Sequence, residues 1–192
     1  MKKYRIAALL LTAAMAFSAA GCSDKSRSKA PTESSSIISN LQDPLASNSV
    51  EAGLTQETDL NQTMYTLNRV IDSGRKSEEG ERFIYLDLTI RNSSNTDYEL
   101  NCLNNFYILL DNGSEVHFDV RTQLYAQNNI DGYITNPFTV AAGSELTGIT
   151  GGFLLKEDIT SFKVCFFPTG ASGDDKSSVI KVPVTANDIV AL

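Results

Sequence analysis

The sequence predicts an all-β protein, an antiparallel β-sandwich of roughly seven to nine strands, from two observations. First, short apolar runs recur about every ten residues from Asp59 onward, and turn-forming residues separate them. Second, no segment longer than about ten residues has the apolar period of a helix. The 192 residues are enough for one domain of ordinary size.

The clearest strand is RFIYLDLTIRN, residues 82–92. Apolar and polar side chains alternate along it, which is the pattern of a strand with one buried face. The buried face is predicted to carry Ile84, Leu86, Leu88 and Ile90, opposite Asp87, Thr89 and Arg91.

A hairpin is predicted from NFYILL, DNGS and EVHFDV, which follow one another between residues 105 and 120. The pair Asn112-Gly113 accepts the positive φ angles of a tight turn, so the two flanking runs are expected to pair.

Together these strands resemble a known family. The order is FIYLDLTIRNSSN, a YEL-type strand, NFYILLDNGSEVHF, the turn AAGSELTG, GGFLL and finally FKVCFF. It is similar to immunoglobulin-like domains of unknown function in lipoproteins and secreted antigens of Gram-positive bacteria, over about Thr58 to Val184. The resemblance implies an immunoglobulin-like sandwich displayed outside the cell, and it implies no catalytic residues.

The N-terminus predicts a lipid anchor. A basic start with Lys2, Lys3 and Arg5 precedes an apolar run that is too short to span a bilayer. The following Ala19-Ala20-Gly21-Cys22 resembles the lipobox of bacterial lipoproteins, although Ala19 stands where leucine is usual. Cleavage would then leave Cys22 as a lipidated N-terminus. The alternative is an ordinary secretory signal cut near Ala20, with Cys22 a spare thiol.

The predicted organisation has three parts: a signal peptide over 1–21, Cys22 with a flexible serine-rich linker over 22–57, and the sandwich over 58–192. The linker has recurrent serines, two prolines and no aromatic residue, a composition that cannot form a core. The expected location is the outer face of the cell membrane, held by acyl chains on Cys22.

The charge argues against nucleic acid as a partner. Loss of residues 1–21 removes three basic residues, which changes the formal net charge from −7 to −10. Nucleic acids and anionic lipids are bound by basic patches, so neither is favoured by this composition.

The sequence predicts no enzyme, no cofactor and no metal site. His117 shares a strand face with Glu115 and Asp119, but zinc normally takes four ligands, and a solvated polar face explains the three residues better. No nucleophile motif or phosphate-binding loop is present in the sequence.

Two groups of residues remain as candidate sites. Cys102 and Cys165 lie in or beside predicted strands, so they either form a disulfide between the sheets or remain two separate, partly buried thiols. Tyr125, Tyr133 and Phe138 lie near the longest late loop. They either form a surface for a glycan or protein, or fold inward and cap the sandwich.

The function predicted from these features is binding or adhesion, or an accessory role beside another envelope protein. Recognition is expected at the late loop or along an exposed strand edge. The alternative is a lipoprotein that carries or senses a small ligand or cation.

Overall fold

The computed structural model describes residues 41–168 and 176–192. The predicted signal peptide, Cys22 and the linker up to residue 40 lie outside the described residues. The strands are β1 Asn48–Glu51, β2 Thr58–Leu60, β3 Thr63–Lys76, β4 Arg82–Asn92, β5 Tyr98–Leu100, β6 Phe106–Leu110, β7 Glu115–His117, β8 Phe138–Val140, β9 Glu145–Leu155, β10 Ser161–Phe166, β11 Ser178–Thr185 and β12 Ile189–Ala191. The α-helices are α1 Cys102–Asn105 and α2 Val120–Asn129, and the short 3₁₀ helices are Asp43–Leu45 and Ala186–Asp188.

The strands form a β-sandwich, as predicted. Sheet 1 has the order β1-β11-β10-β6-β7, and sheet 2 has the order β12-β3-β4-β9, with β2 also paired to β3. A two-stranded ribbon, β5-β8, completes the described strands. Twelve strands exceed the predicted seven to nine because five of them, β2, β5, β7, β8 and β12, have only three residues.

The main core lies between the two sheets. The predicted inward face of β4 is confirmed, since Ile84, Leu86, Leu88 and Ile90 are all fully buried. Phe166 of β10 stacks across the core on Tyr65 of sheet 2 at 4.7 Å, and on Phe106 of the neighbouring strand β6 at 4.8 Å, between ring centroids. Burial of such rings is a large part of the apolar stabilisation.

The predicted hairpin forms, but its second strand is shorter than expected. Leu109 pairs with Glu115 across the turn, in which Gly113 has φ +81°. Residues 115–120 were predicted as one strand, yet β7 ends at His117 and α2 begins at Val120. The Asp119 side chain accepts a hydrogen bond from the Arg121 N–H at 2.8 Å, and this N-cap starts the helix.

The predicted start of the sandwich at residue 58 is wrong. Residues 41–57 belong to the fold: β1 pairs in parallel with β11, in register Asn48↔Ser178 to Glu51↔Lys181. We refer to residues 41–51 as the strap. Its first part, before β1, lies on the outer face of sheet 1, where Ala46 packs over a small cluster formed by Tyr107, Cys165, Phe167 and Val179.

Candidate binding surfaces

The predicted aromatic surface is turned inward. Tyr125 meets Phe83 edge-on at 5.7 Å, and Tyr133 meets Tyr85 edge-on at 6.0 Å. The Tyr133 hydroxyl donates to the carbonyl of Gly151. These contacts form a second core between α2 and the outer face of sheet 2. Burial raises the pKa of Tyr133 well above its usual value.

Phe138 is also buried, with 9% of its surface exposed, and belongs to the main core. The structure therefore brings Tyr125 and Tyr133 together around one helix and places Phe138 elsewhere. These contacts match the prediction in which the rings fold inward, and not the one in which they form a binding surface.

The two cysteines are free and buried in different clusters. Cys102 belongs to the main core, and its Sγ lies 3.6 Å from Thr150 Oγ1. Cys165 lies on the other face of sheet 1, beneath the strap. The structure does not have the disulfide considered from the sequence. Burial raises the pKa of Cys102 to about 11 and that of Cys165 to about 12.

The predicted solvated face around His117 is wrong, because the strap covers it. The Glu115 side chain is only 1% exposed, and its carboxylate accepts the backbone N–H of Gln42 at 2.8 Å and of Asp43 at 2.7 Å. Gln42 Nε2 lies 3.1 Å from His117 Nδ1. Asp119 is not part of this group, since it caps α2.

Asp43 completes this attachment. Its Oδ1 accepts the Tyr107 hydroxyl at 2.6 Å and pairs with Lys181 at 2.5 Å. Burial raises the pKa of Asp43, but its bonds to Lys181 and Tyr107 outweigh that effect and hold the pKa below the usual value. We refer to Glu115, Tyr107 and Lys181, which hold the strap, as the clasp.

A polar network covers the part of the outer face of sheet 2 that α2 leaves open. Arg69 Nε donates to the Asp87 carboxylate at 2.8 Å, and Asn68 Nδ2 donates to Thr89 Oγ1 at 3.1 Å. Thr89 Oγ1 lies 2.9 Å from Thr147 Oγ1 on β9. We refer to these five residues as the polar ladder. It runs across three strands and reaches the edge of the sheet at Thr147.

That edge is open at the start of β9. The hydrogen bond from Asn92 N–H to Ser144 O, at 2.9 Å, shows which residues of β9 bond to the backbone of β4, since only every second residue does so in an antiparallel pair. In this alternation the backbone groups of Glu145, Thr147 and Ile149 point away from β4. The Ile149 carbonyl accepts Ile134 N–H at 2.7 Å, whereas within the described ranges no hydrogen bond reaches the backbone of Thr147.

An exposed apolar strip lies beside α1 and α2. Leu103 is 52% exposed, Val120 59% and Leu124 58%. Leu103 and Val120 line one surface depression with Phe118, and Leu124 follows Val120 on the same helix face. We refer to Leu103, Phe118, Val120 and Leu124 as the apolar ridge. Sequence reasoning missed it because Val120 was placed in a strand.

In the parts of the chain that the structure describes, no group of three or more His, Cys, Asp or Glu residues could hold a metal ion. The same parts contain no helix with both the length and the apolar composition needed to cross a membrane.

The comparison with protein families decides which group this sandwich belongs to. The profile of DUF4352, a domain of unknown function, matches residues 52–165, which is more than half of the chain. The chain belongs to the DUF4352 family. The matched region includes the polar ladder, the open edge and the apolar ridge. The resemblance to a family of domains of unknown function is thereby supported.

A solved structure has a similar fold. A candidate lipoprotein (ycdA) from Bacillus subtilis is 11% identical with a TM-score of 0.51, over 70% of this chain and 39% of that one. This chain thus spans well under half of the ycdA structure.

Two further structures are matched with lower similarity. The secreted protein MPT63 from Mycobacterium tuberculosis is 10% identical with a TM-score of 0.45, over 71% of this chain and 99% of that one. A β-sandwich protein from Clostridium difficile is 14% identical with a TM-score of 0.43, over 70% and 94%. No curated protein matches the sequence.

Proposed function

We propose that this protein is a lipid-anchored, non-catalytic module on the outer face of the cell membrane, and that it binds an extended segment of another envelope protein along the open edge of β9. The N-terminal sequence up to Cys22 supports the anchor. The observation that carries the binding role is the open edge at Thr147, which adjoins the polar ladder.

The open edge suits an extended partner. The unpaired N–H and C=O of Thr147 are the groups that a strand from another chain uses when it adds to a sheet. The Thr147 hydroxyl of the polar ladder lies at that edge, and the Thr89 hydroxyl lies on the neighbouring strand β4. Because the ladder is already hydrogen-bonded within the sheet, a partner would meet groups that are held in place.

The position of the strap is compatible with an anchor at Cys22. It joins the N-terminal segment to sheet 1 by a parallel strand and by the clasp. The chain that leads from Cys22 therefore ends on a tightly held part of the fold. A module of this kind would be kept at the membrane while its free edge stays accessible.

Substitution at Thr147 tests the binding role. Thr147→Pro removes the outward N–H and the hydroxyl that bonds to Thr89, but no backbone hydrogen bond within the sheet, since proline is tolerated at strand edges. Thr147→Val is the matched control, because it keeps this N–H and loses only the hydroxyl. Both variants are compared with the wild type by in-cell crosslinking of the full-length chain, purification from solubilised membranes and mass spectrometry.

We expect one abundant envelope protein to be crosslinked to the wild type and to Thr147→Val, and to be lost with Thr147→Pro. Unchanged melting temperatures show that both variants are folded. A partner captured equally by all three chains contradicts recognition along this edge. A wild-type chain that captures no protein contradicts the binding role itself.

A further inference from the structure

The apolar ridge is a surface that the proposed function leaves unused. In the described residues, seven large apolar side chains are clearly exposed: Leu41, Leu45, Leu103, Val120, Leu124, Val190 and Leu192. Three of them belong to the ridge, and Leu41 lies close by. Such grouping is typical of a surface that is covered in the working state of a protein.

The N-terminal chain enters the fold beside this ridge. Gln42 Nε2 donates to the Leu103 carbonyl at 3.3 Å, which places Leu41 next to α1. Residues 23–40 separate Leu41 from Cys22. Covalent geometry limits that separation to about 65 Å. An anchor on Cys22 therefore keeps Leu41, beside the ridge, within that distance of the bilayer and raises the local concentration of lipid at the ridge.

The charges next to the ridge do not oppose contact with lipid. The Asp119 carboxylate is paired with Arg121 Nη2 at 2.8 Å. On the other side of the ridge, Lys176 Nζ donates to Gln42 Oε1 at 2.7 Å. Arginine and lysine can keep their charged groups at the level of the phosphates while apolar neighbours enter the interface.

We infer that the apolar ridge rests on the lipid bilayer, with Val120 and Leu124 in the headgroup region. This inference rests on the anchoring part of the proposed function. The ridge and the open edge of β9 are different surfaces, so contact of the ridge with lipid leaves Thr147 available to a partner.

The test uses the full-length lipidated chain, purified from membranes and reconstituted into vesicles of phosphatidylcholine and phosphatidylglycerol. An environment-sensitive fluorophore is attached to the variant Leu124→Cys under native conditions, in which Cys102 and Cys165 are buried. Thr147→Cys, labelled in the same way, is the control position. Nitroxide lipids in the bilayer quench only fluorophores that contact the bilayer.

We expect quenching at position 124 to be several-fold stronger than at position 147. A second change, Val120→Glu, should reduce the quenching at position 124 to the level at 147. The matched change Val190→Glu, at an exposed valine of β12, should leave it unaltered.

Three results overturn the inference. Equal quenching at both positions excludes contact of the ridge with lipid. A fluorophore at position 124 that is shielded from water but is not quenched by the nitroxide lipids shows that a protein or a second copy of the chain covers the ridge. A chain that does not float with the vesicles contradicts the anchor, and the inference with it. The outcome at Thr147→Pro is independent of all three.

Discussion

The Glu115 carboxylate accepts the backbone N–H of Asp43 at 2.7 Å, although the two residues are 72 positions apart in the chain. A buried carboxylate bonded to backbone N–H groups makes a strong, charge-assisted attachment. This contact holds the strap to the hairpin β6-β7. It also explains why sheet 1 has a fifth strand that the composition of the N-terminal region does not suggest.

Replacing Glu115 should loosen the strap. Glu115→Gln removes the charge and turns an amide NH₂ toward backbone donors, so we expect the free energy of unfolding to fall by about 1–3 kcal/mol. The alkylation rate of Cys165 should rise with it, because Ala46 of the strap covers its cluster. Urea unfolding and mass spectrometry of alkylated peptides measure the two effects. Glu99→Gln, at an exposed residue, is the control, and an equal effect of both changes would contradict the account.

The thiols should be free but unreactive in the native protein. Because burial raises the pKa of Cys102 to about 11 and of Cys165 to about 12, almost no thiolate is present near neutral pH. We expect slow alkylation of the native chain and two alkylated thiols, at 102 and 165, after unfolding without reductant. Protection of both cysteines in the unfolded chain would show a disulfide and contradict the structure.

The same shifts predict a loss of stability at alkaline pH. The usual thiol pKa is 9.0, and both folded values are higher. The contribution of the two protonated, buried thiols to the free energy of unfolding is therefore fully present below pH 9. It falls as pH rises toward the folded values, by about 1.4 kcal/mol per pH unit for each thiol. Unfolding measured at several pH values tests this, and Cys165→Ala should show a shallower decline. An identical decline in that variant would count against the assignment.

Tyr133 should act as a core residue. Tyr133→Ala removes a ring packed on Tyr85 and is expected to lower the free energy of unfolding by about 3 kcal/mol. Tyr133→Phe loses only the bond to the Gly151 carbonyl, at about 1 kcal/mol. Leu124→Ala, at an exposed position of α2, should change little. Thermal or urea unfolding measures these changes. An unchanged free energy of unfolding in Tyr133→Ala would contradict a core role and indicate a ring on the surface.

Local patterns made the central strands predictable. Apolar alternation identifies β4, and its inward residues follow directly from the period of two. The phase of β10 was also predictable, since Val164 and Phe166 lie in the main core while Cys165 faces away from it. In each case the alternation of side chains along a single strand is enough to identify its buried face.

Long-range contacts made the other parts unpredictable. The strap has a linker composition and is fixed by Glu115 and Lys181, which lie far from it in sequence. Helix α2 is mostly polar and is held by the aromatic contacts of Tyr125 and by Asp119 at its N-terminus. Asp119 followed by a run without glycine or proline is the one local signal for that helix.

The open edge is a property of the sheet order. It depends on which strand lies last in sheet 2 and on how the loop around Ile134 covers only part of it. Neither can be read from the local sequence of β9. The anchor is the opposite case, because its signal is entirely local and ends at Cys22.

The most direct test of the account is the intact mass of the full-length gene product after extraction from cell membranes with detergent. The account predicts a chain that begins at Cys22 and carries a diacylglyceryl group on that residue. A chain that begins elsewhere, or an unmodified Cys22 in protein released to the medium, would contradict the anchored module from which both proposals start.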